Sequence, residues 1–435
     1  MSGKVKRRLV SICRRAFVSS GDSDVRPKSS ATMRTDYAWL ARAMTPDGFK
    51  RVVGDLEERE LQRYMARTRS REDAERERDP TIKPPSVAEA SLAGSSYAFD
   101  IKQNVVDHYA VTAGCQPLNE QHNRYLQLEP YDRTRVTAPD PDTPPSNAQR
   151  YLNANWVREK YGGKWWIATQ APLPHTSHAF LSIITQPVAV MQRPADMPAT
   201  RVRTVVQLTQ NMEGGRRKAH PYFPEVVGQT IIIPPEPGCA AAPLKVSLVR
   251  SEHIERANCV KSIISVKPVE QSPATSQAQH SKDDAPIVFQ HLLYAAWPDH
   301  GVPEAQDRAS LQEFARLVDD ANRDTSLSPQ PSDDPDPPII VGCSAGIGRT
   351  GSFIALSSLL RSLGVLRAPA RSTPPSLVPP PSPLGPLPET CKDDMVAQEV
   401  DALREQRPGM VQRDEQILLI YELLAYALDS QGVDS

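Results

Sequence analysis

The chain has 435 residues, 39% hydrophobic and 24% charged, with a formal net charge of -1, which suits one large domain with additions or two ordinary ones. That charge balance leaves no footprint for nucleic acid, and no apolar run approaches the ~18 residues of a membrane span, so neither a nucleic-acid partner nor a transmembrane segment is expected. Six scattered cysteines (Cys13, Cys115, Cys239, Cys259, Cys343 and Cys391) form neither a disulfide framework nor a metal-ligand spacing; with no secretory signal, they predict a reducing, cytoplasmic setting.

Residues 1–45 begin with Lys4, Lys6, Arg7, Arg8, Arg14 and Arg15 interleaved with Val5, Leu9, Val10, Ile12 and Phe17. They read as a basic, disordered tail; the competing reading is a targeting or membrane-surface helix, which would put the protein at a membrane or in the nucleus. Residues 46–99 read as a charged helical extension. Its Glu- and Arg-rich part, 46–80, offers many i,i+4 opposite-charge pairs and a thin apolar stripe from Leu56, Leu61 and Met65, predicting a solvated helix.

From 100 to 430 the pattern is globular. The apolar runs 204–208 (TVVQL), 230–233 (TIII) and 338–341 (PIIV) suit strands of a buried sheet, and 305–319, 349–362 and 410–429 carry helical spacing. Strands alternating with helices predict an α/β (α+β) domain. The whole chain has 42 prolines, close to twice the average of roughly 5%, and they cluster at 138–147, 266–287, 328–338 and 366–389. These clusters read as loop insertions in the one domain, and 366–389 could also dock a polyproline-reading partner.

The chemistry concentrates at 337–353, PPIIVGCSAGIGRTGSF. A buried strand runs into Cys343, and Thr350-Gly351 opens a helix. A cysteine six residues before an arginine is weak by itself, but the residues between them change its meaning. Ser344, Ala345, Gly346, Ile347 and Gly348 allow a tight loop whose N–H groups point inward, and the following helix adds its positive end. Such a loop suits a tetrahedral dianion and favours thiolate over thiol at Cys343. Arg349 can grip two phosphate oxygens at once, as lysine could not.

This loop resembles the signature loop of the protein tyrosine phosphatases, and further motifs follow in that family's order. Residues 294–303, YAAWPDHGVP, are similar to its mobile acid loop, which implies Asp299 as general acid and base. Residues 122–135, HNRYLQLEPYDRTR, resemble its phosphotyrosine-recognition loop, with Tyr125 stacking on the substrate ring and setting a depth that excludes phosphoserine. Residues 151–176 match a largely structural segment. In 206–224, Glu213 and Lys218 correspond to residues that brace the site, Lys218 contacting Asp299 when the acid loop closes. Residues 410–416, MVQRDEQ, look like the glutamine loop, with Gln412 orienting the hydrolytic water and Gln416 supporting it. The resemblance implies a highly twisted mixed sheet flanked by helices, phosphotyrosine-containing proteins as substrates, Thr350 beside the thiol, and no metal or organic cofactor.

Two departures stand out. Gln127 replaces an acidic residue that binds substrate main chain, and Gly342 replaces the histidine before the nucleophile. Gly342 predicts a cysteine pKa above the family's usual value with activity retained, and it is the best support for a competing reading, an inactive phosphotyrosine-binding module. A third reading is a phosphatase of broader specificity, which Tyr125 opposes.

Overall fold

The computed structural model describes residues 37–82, 101–139, 149–186, 200–269, 285–298, 301–327, 334–370 and 379–431. Regular structure begins inside the stretch read as a tail. Helix α1 (Ala38–Ala43) buries Trp39, Leu40 and Ala43. Helix α2 (Pro46–Arg78) follows, its N-terminus fixed by the Thr45 hydroxyl, which accepts from Gly48 N (3.1 Å), and by Pro46 in the first turn. Its buried face is not the stripe expected from Leu56, Leu61 and Met65. Phe49, Val52, Val53 and Leu56 enter the core, and at the same helical spacing Arg59, Arg63, Ala66, Arg67 and Ser70 continue the buried face, while Leu61 is 46% exposed. Arginines therefore pack where a solvated face was expected, because acids on a neighbouring helix receive them.

The remaining elements are α3 (Gln103–His108), α4 (Pro117–Glu120), β1 (Arg135–Pro139), β2 (Gln149–Arg158), β3 (Trp165–Gln170), α5 (Ser177–Thr185), β4 (Thr204–Gln207), β5 (Met212–Glu213), β6 (Arg216–Arg217), β7 (Thr230–Ile233), β8 (Leu244–Ile254), β9 (Cys259–Pro268), β10 (Ile287–Tyr294), α6 (Arg308–Arg323), β11 (Ile339–Cys343), α7 (Gly348–Ser362), α8 (Met395–Gln406) and α9 (Asp414–Gln431). Among the described residues nine strands form one mixed sheet in the order β1-β2-β3-β11-β4-β10-β9-β8-β7, and β5-β6 is a separate hairpin. The central pairs β3/β11, β11/β4 and β4/β10 are parallel and the flanks antiparallel.

The central strands read as unbroken apolar runs because both faces are covered. Ile339 and Val341 point into the core built with α1, α2 and α6 to α9, whereas Ile340 points into the core beneath α5. The run 230–233 does not fit that pattern. It is the edge strand β7, half exposed, with Ile232 53% exposed. The helix expected over 410–429 begins only at Asp414, for a reason taken up with the site.

The proline-rich stretches are narrower than their composition suggested. β1 reaches Pro139 and β9 reaches Pro268, and Asp336 at the end of another cluster is a buried partner of Lys164. In the last cluster, Arg59 donates to the carbonyls of Leu384 (3.3 Å), Gly385 (2.9 Å) and Pro386 (3.3 Å), so this segment docks onto α2. Most of the basic tail, the stretch 83–99, and 371–378 of the segment expected to meet a polyproline reader lie outside the described residues. Among the described residues, no helix is long and apolar enough to cross a membrane.

Candidate active site

β11 delivers Cys343 to the carboxyl edge of the parallel strands, and the chain then turns through 344–347 into α7. Gly346 makes the turn possible. Its φ of +72° is left-handed, and a Cβ there would sit 2.1 Å from the Thr169 carbonyl oxygen. The Gly346 N–H donates to Cys343 Sγ (3.3 Å). The carbonyls of the loop are turned away: Ala345 O and Gly346 O accept from Arg407 at 3.1 and 2.7 Å, and Ser344 O accepts from Ala171 N (3.1 Å). With the carbonyls so occupied, the loop turns its amides towards Cys343, where the Gly346 N–H already meets Sγ.

Arg349 is oriented from the segment 208–213. It donates to both oxygens of Glu213 (2.7 and 2.8 Å) and to Leu208 O (3.0 Å). Glu213 is itself fixed by Thr209 Oγ1 (2.8 Å) and Gln210 N (2.9 Å). Arg349 also donates to Pro298 O (2.9 Å), which seats the start of the stretch expected to be the acid loop against the turn after Cys343. Trp297 is buried, while Asp299 itself lies outside the described residues.

The rim assembles from other predicted residues. The Ser344 hydroxyl donates to Lys218 O (2.7 Å), leaving its oxygen to accept from the Tyr125 hydroxyl (2.7 Å). Tyr125 is 39% exposed, as a side chain lining an open pocket would be. Gln127, whose φ of +63° is left-handed, is held through its N–H by Glu129 Oε1 (3.1 Å). On the far side, Gln416 packs against Gly348, where a Cβ would come within 2.8 Å of its amide, and Gln416 Oε1 accepts from Arg413 N (3.2 Å). Gln412 is exposed beside the loop, carried there by Val411 N–H donating to Ile347 O (3.2 Å).

Two arginines essential to this geometry were not found from the sequence. Arg407 is fully buried and donates to Asn155 Oδ1 (2.8 Å) and Asn153 Oδ1 (2.9 Å) as well as to the loop carbonyls. Arg404 donates to Met410 O (2.9 Å) and Val411 O (2.8 Å), and so fixes the backbone that leads into Gln412. Their only sequence signal is two arginines just ahead of MVQ, which says nothing about where they point.

The electrostatics follow. Burial alone would raise the Cys343 pKa. The Thr350 hydroxyl, the Arg349 cation and the N–H groups of Thr350 and Ile347 outweigh it and hold the thiol below its ordinary value. Cys115, Cys259 and Cys391 are also buried, and burial pushes each of them up to about 12. Thr350 is fully buried, and its hydroxyl has no other hydrogen-bond partner among the described residues. Among the described residues no group of three His, Cys, Asp or Glu side chains could hold a metal ion.

Compared with known proteins, residues 119–368 match the family model "Protein-tyrosine phosphatase". The chain belongs to the protein tyrosine phosphatase family. It is 32% identical over 246 residues to human receptor-type tyrosine-protein phosphatase H, covering 56% of this chain and 18% of that one. It is 28% identical to human tyrosine-protein phosphatase non-receptor type 14, over 56% of this chain and 17% of the relative. The tyrosine-protein phosphatase Lar-like of Caenorhabditis elegans matches at 28% over 81% of this chain and 13% of its own length. The chain thus spans less than a fifth of the length of these curated relatives. The phosphatase fold matches the expected twisted mixed sheet with flanking helices.

Proposed function

We propose that the chain hydrolyses phosphotyrosine in proteins through a phosphocysteine intermediate. The observation that carries this reading is the geometry around Cys343. The Gly346 N–H donates to Sγ (3.3 Å), the loop carbonyls are held away by Arg407, and Arg349 is fixed by both oxygens of Glu213 (2.7 and 2.8 Å). Cys343 is thus drawn down while Cys115, Cys259 and Cys391 are pushed up. A thiolate at the mouth of an anion-binding loop is a nucleophile ready for phosphorus.

In the first step the Cys343 thiolate attacks phosphorus in line. The S–P bond forms, the P–O bond to the tyrosyl oxygen breaks, and Asp299 gives that oxygen its proton. Arg349 and the N–H groups of Ser344, Ala345, Gly346, Ile347 and Gly348 bind the equatorial oxygens. In the second step Gln412, supported by Gln416, holds a water; its oxygen bonds phosphorus as Asp299 takes its proton, the S–P bond breaks to return the Cys343 thiolate, and inorganic phosphate leaves. The Thr350 hydroxyl stabilises the departing thiolate. Lys218 meets Asp299 in the closed loop, and Tyr125 selects the longer phosphotyrosine side chain. Every step is assigned to a side chain or backbone group of the protein, without a metal or organic cofactor. The free cysteines Cys115, Cys239, Cys259, Cys343 and Cys391 suit a reducing, cytoplasmic setting.

The test is turnover of a small aryl phosphate and of matched phosphotyrosine and phosphothreonine peptides. Wild type is expected to turn over the aryl phosphate and the phosphotyrosine peptide, and Cys343→Ser neither. Equal activity of the two proteins sinks the mechanism, and equal rates on the two peptides sink the specificity.

A further inference from the structure

The proline-rich segment docked on α2 aims one hydroxyl at a buried acid of the neighbouring helix. Residues 379–388, PPPSPLGPLP, lie as a strap across the seam between α2 and α8, held from one side by the three carbonyl contacts of Arg59. Ser382-Pro383 opens a tight turn. Gly385 N donates to Ser382 O (3.0 Å), Leu384 N donates to Ser382 Oγ (3.2 Å), and Gly385 closes the turn with φ +73°. The turn packs Leu384 against the apolar cluster around Tyr109 and Tyr131. Beyond the strap, Thr390 Oγ1 donates to Asp55 Oδ2 (2.7 Å), so the chain is pinned to α2 again.

The Ser382 hydroxyl donates to Glu405 Oε1 (2.9 Å). That oxygen is already crowded. It also accepts from Arg63 (2.5 and 3.0 Å) and from the Tyr109 hydroxyl (2.6 Å), which stands 3.2 Å from Ser382 Oγ. Burial would raise the Glu405 pKa, yet His108, Arg63 and Tyr109 hold its carboxyl well below the ordinary range, so the acid beside Ser382 is ionised. The cations nearby are committed. Arg59 is bidentate to Asp401, Arg63 is shared between Asp401 and Glu405, His108 Nε2 meets Glu405 Oε2 (3.1 Å), and Arg133 donates to the carbonyls of His108 and Glu405. Ser382 is only half-buried, and proline follows it directly.

We propose that Ser382 is a phosphorylation site for a proline-directed protein kinase, and that the phosphate releases the strap from the seam. In the transfer the Ser382 oxygen attacks the γ-phosphorus of ATP. The new O–P bond forms as the bond to the β-phosphate oxygen breaks, ADP leaves, and the hydroxyl proton passes to the base of the kinase. The modified side chain has lost the proton it gave to Glu405 and brings about -1.5 to -2 charge against an ionised carboxylate and an apolar seat, where repulsion and desolvation both oppose docking. The strap is suited to opening, because none of residues 379–388 is fully buried. Release uncovers the seat of Leu384 and frees an extended proline-rich stretch, while the anchor at Thr390 bounds the part that moves.

The experiment has two arms, both on the full-length chain. In the first, wild type and Ser382→Ala are incubated with a purified proline-directed kinase and ATP, and the phosphate is localised by mass spectrometry. Wild type is expected to carry it on Ser382, and absence of phosphate there overturns the site. In the second, phosphoserine is built in at position 382 during translation, and amide hydrogen exchange is compared with wild type. The amides of Leu384, Gly385 and Leu387 are expected to exchange about tenfold faster or more in the phosphorylated protein. Ser382→Ala loses hydrogen bonds but gains no charge, and is expected to move them by about threefold or less. Unchanged exchange in the phosphorylated protein overturns the release and shows that Arg59, Arg63 or His108 takes up the phosphate. Equal acceleration in Ser382→Ala overturns repulsion as its cause. Within a Glu405→Gln background the effect of the phosphate is expected to shrink, and the comparison with wild type stands if that background fails to fold.

Discussion

Two arginine networks meet at helix α8, and they use charge in opposite ways. On the side facing α2, the arginines of α2 meet acids or a phenol. Arg59 is bidentate to Asp401 (2.9 and 3.1 Å), Arg63 donates to Asp401 (2.6 Å) and Glu405 (2.5 Å), Arg71 grips Glu129 (2.6 Å), and Arg67 reaches Glu60 (3.0 Å) and the Tyr131 hydroxyl. On the side facing the loop after Cys343, Arg407 donates to backbone carbonyls and asparagine oxygens, while Arg404 bridges the two sides, donating to Met410 O and Val411 O and to Leu56 O of α2 (3.0 Å). The first network is neutralised and acts as a seam. In the second, Arg407 bonds no carboxylate among the described residues, and burial, offset in part by Tyr151 and Cys343, holds its pKa down to about 10.

The strongest way to break this contrast is Arg407→Met. It strands the Ala345 and Gly346 carbonyls, releases the loop amides from their orientation, and removes a cation from the thiolate's surroundings. Turnover of a small aryl phosphate is expected to fall about 100-fold, the scale of a ~1 Å misplacement of reacting groups. The thiol pKa, read from the pH dependence of iodoacetate inactivation, is expected to rise. An unchanged thiol pKa would mean that Arg407 acts only as a structural brace.

Arg63→Met is the converse. The side chain is fully buried, and its loss leaves Asp401 and Glu405 with less compensation, a change worth about 3–5 kcal/mol when a buried pair is broken. Urea unfolding is expected to show that loss, with the Cys343 thiol pKa unmoved. A shifted thiol pKa would show that the two networks are one. Glu405 gives the seam a pH signature. His108, Arg63 and Tyr109 overcome burial and hold its carboxyl well below the ordinary range. A depressed carboxyl contributes stability that is present above its unfolded value and is lost as pH falls through the folded one. The seam is therefore expected to weaken on the acid side, and Glu405→Gln to flatten that limb of the stability profile.

The difference between the networks also marks what could be read from the sequence. PIIV followed by Cys343 and Arg349 reads as a buried strand entering an anion loop, because periodicity and residue size are local properties. The last motif is another matter. Residues 410–413 carry helical spacing, yet Val411 has φ +55°, a left-handed conformation that a β-branched residue adopts only under constraint. The constraint comes from Arg404, on its carbonyl, and from Ile347 O, on its N–H. Neither contact leaves a trace in the local pattern. Likewise the arginines of α2 looked like solvated charge until the acids of α8, some 340 positions away, supplied their partners.

Gly342 sharpens the comparison at a smaller scale, on the strand that feeds the loop. A Cβ there would lie 2.8 Å from the Thr169 carbonyl oxygen of the parallel neighbour β3, closer than a backbone oxygen can yield cheaply. Gly342→Ala is therefore expected to destabilise by about 1–3 kcal/mol, the cost of overpacking, and to displace Cys343 enough to slow turnover. Wild-type stability and rate in Gly342→Ala would show that β3 has room to move.

The smallest expected effect concerns an acid that belongs to neither network. Glu399 is buried in α8 and accepts from Ser358 Oγ (2.7 Å), Lys160 N (3.1 Å) and Tyr161 N (3.2 Å), with no cation bonded to it among the described residues. Burial, reinforced by Glu159, raises its pKa to about 7 despite those donors. A carboxyl raised on folding stabilises most below its unfolded pKa, and that contribution is lost as pH rises through the folded one. Stability is thus expected to decline between about pH 5 and 7 on this residue's account. Glu399→Gln keeps an oxygen acceptor and removes the charge, so it should lift the alkaline limb by about 2 kcal/mol or less. If the variant loses stability at every pH, the ionised carboxylate is needed for the Lys160 and Tyr161 amides, and α8 carries a third way of holding charge, by backbone donors alone.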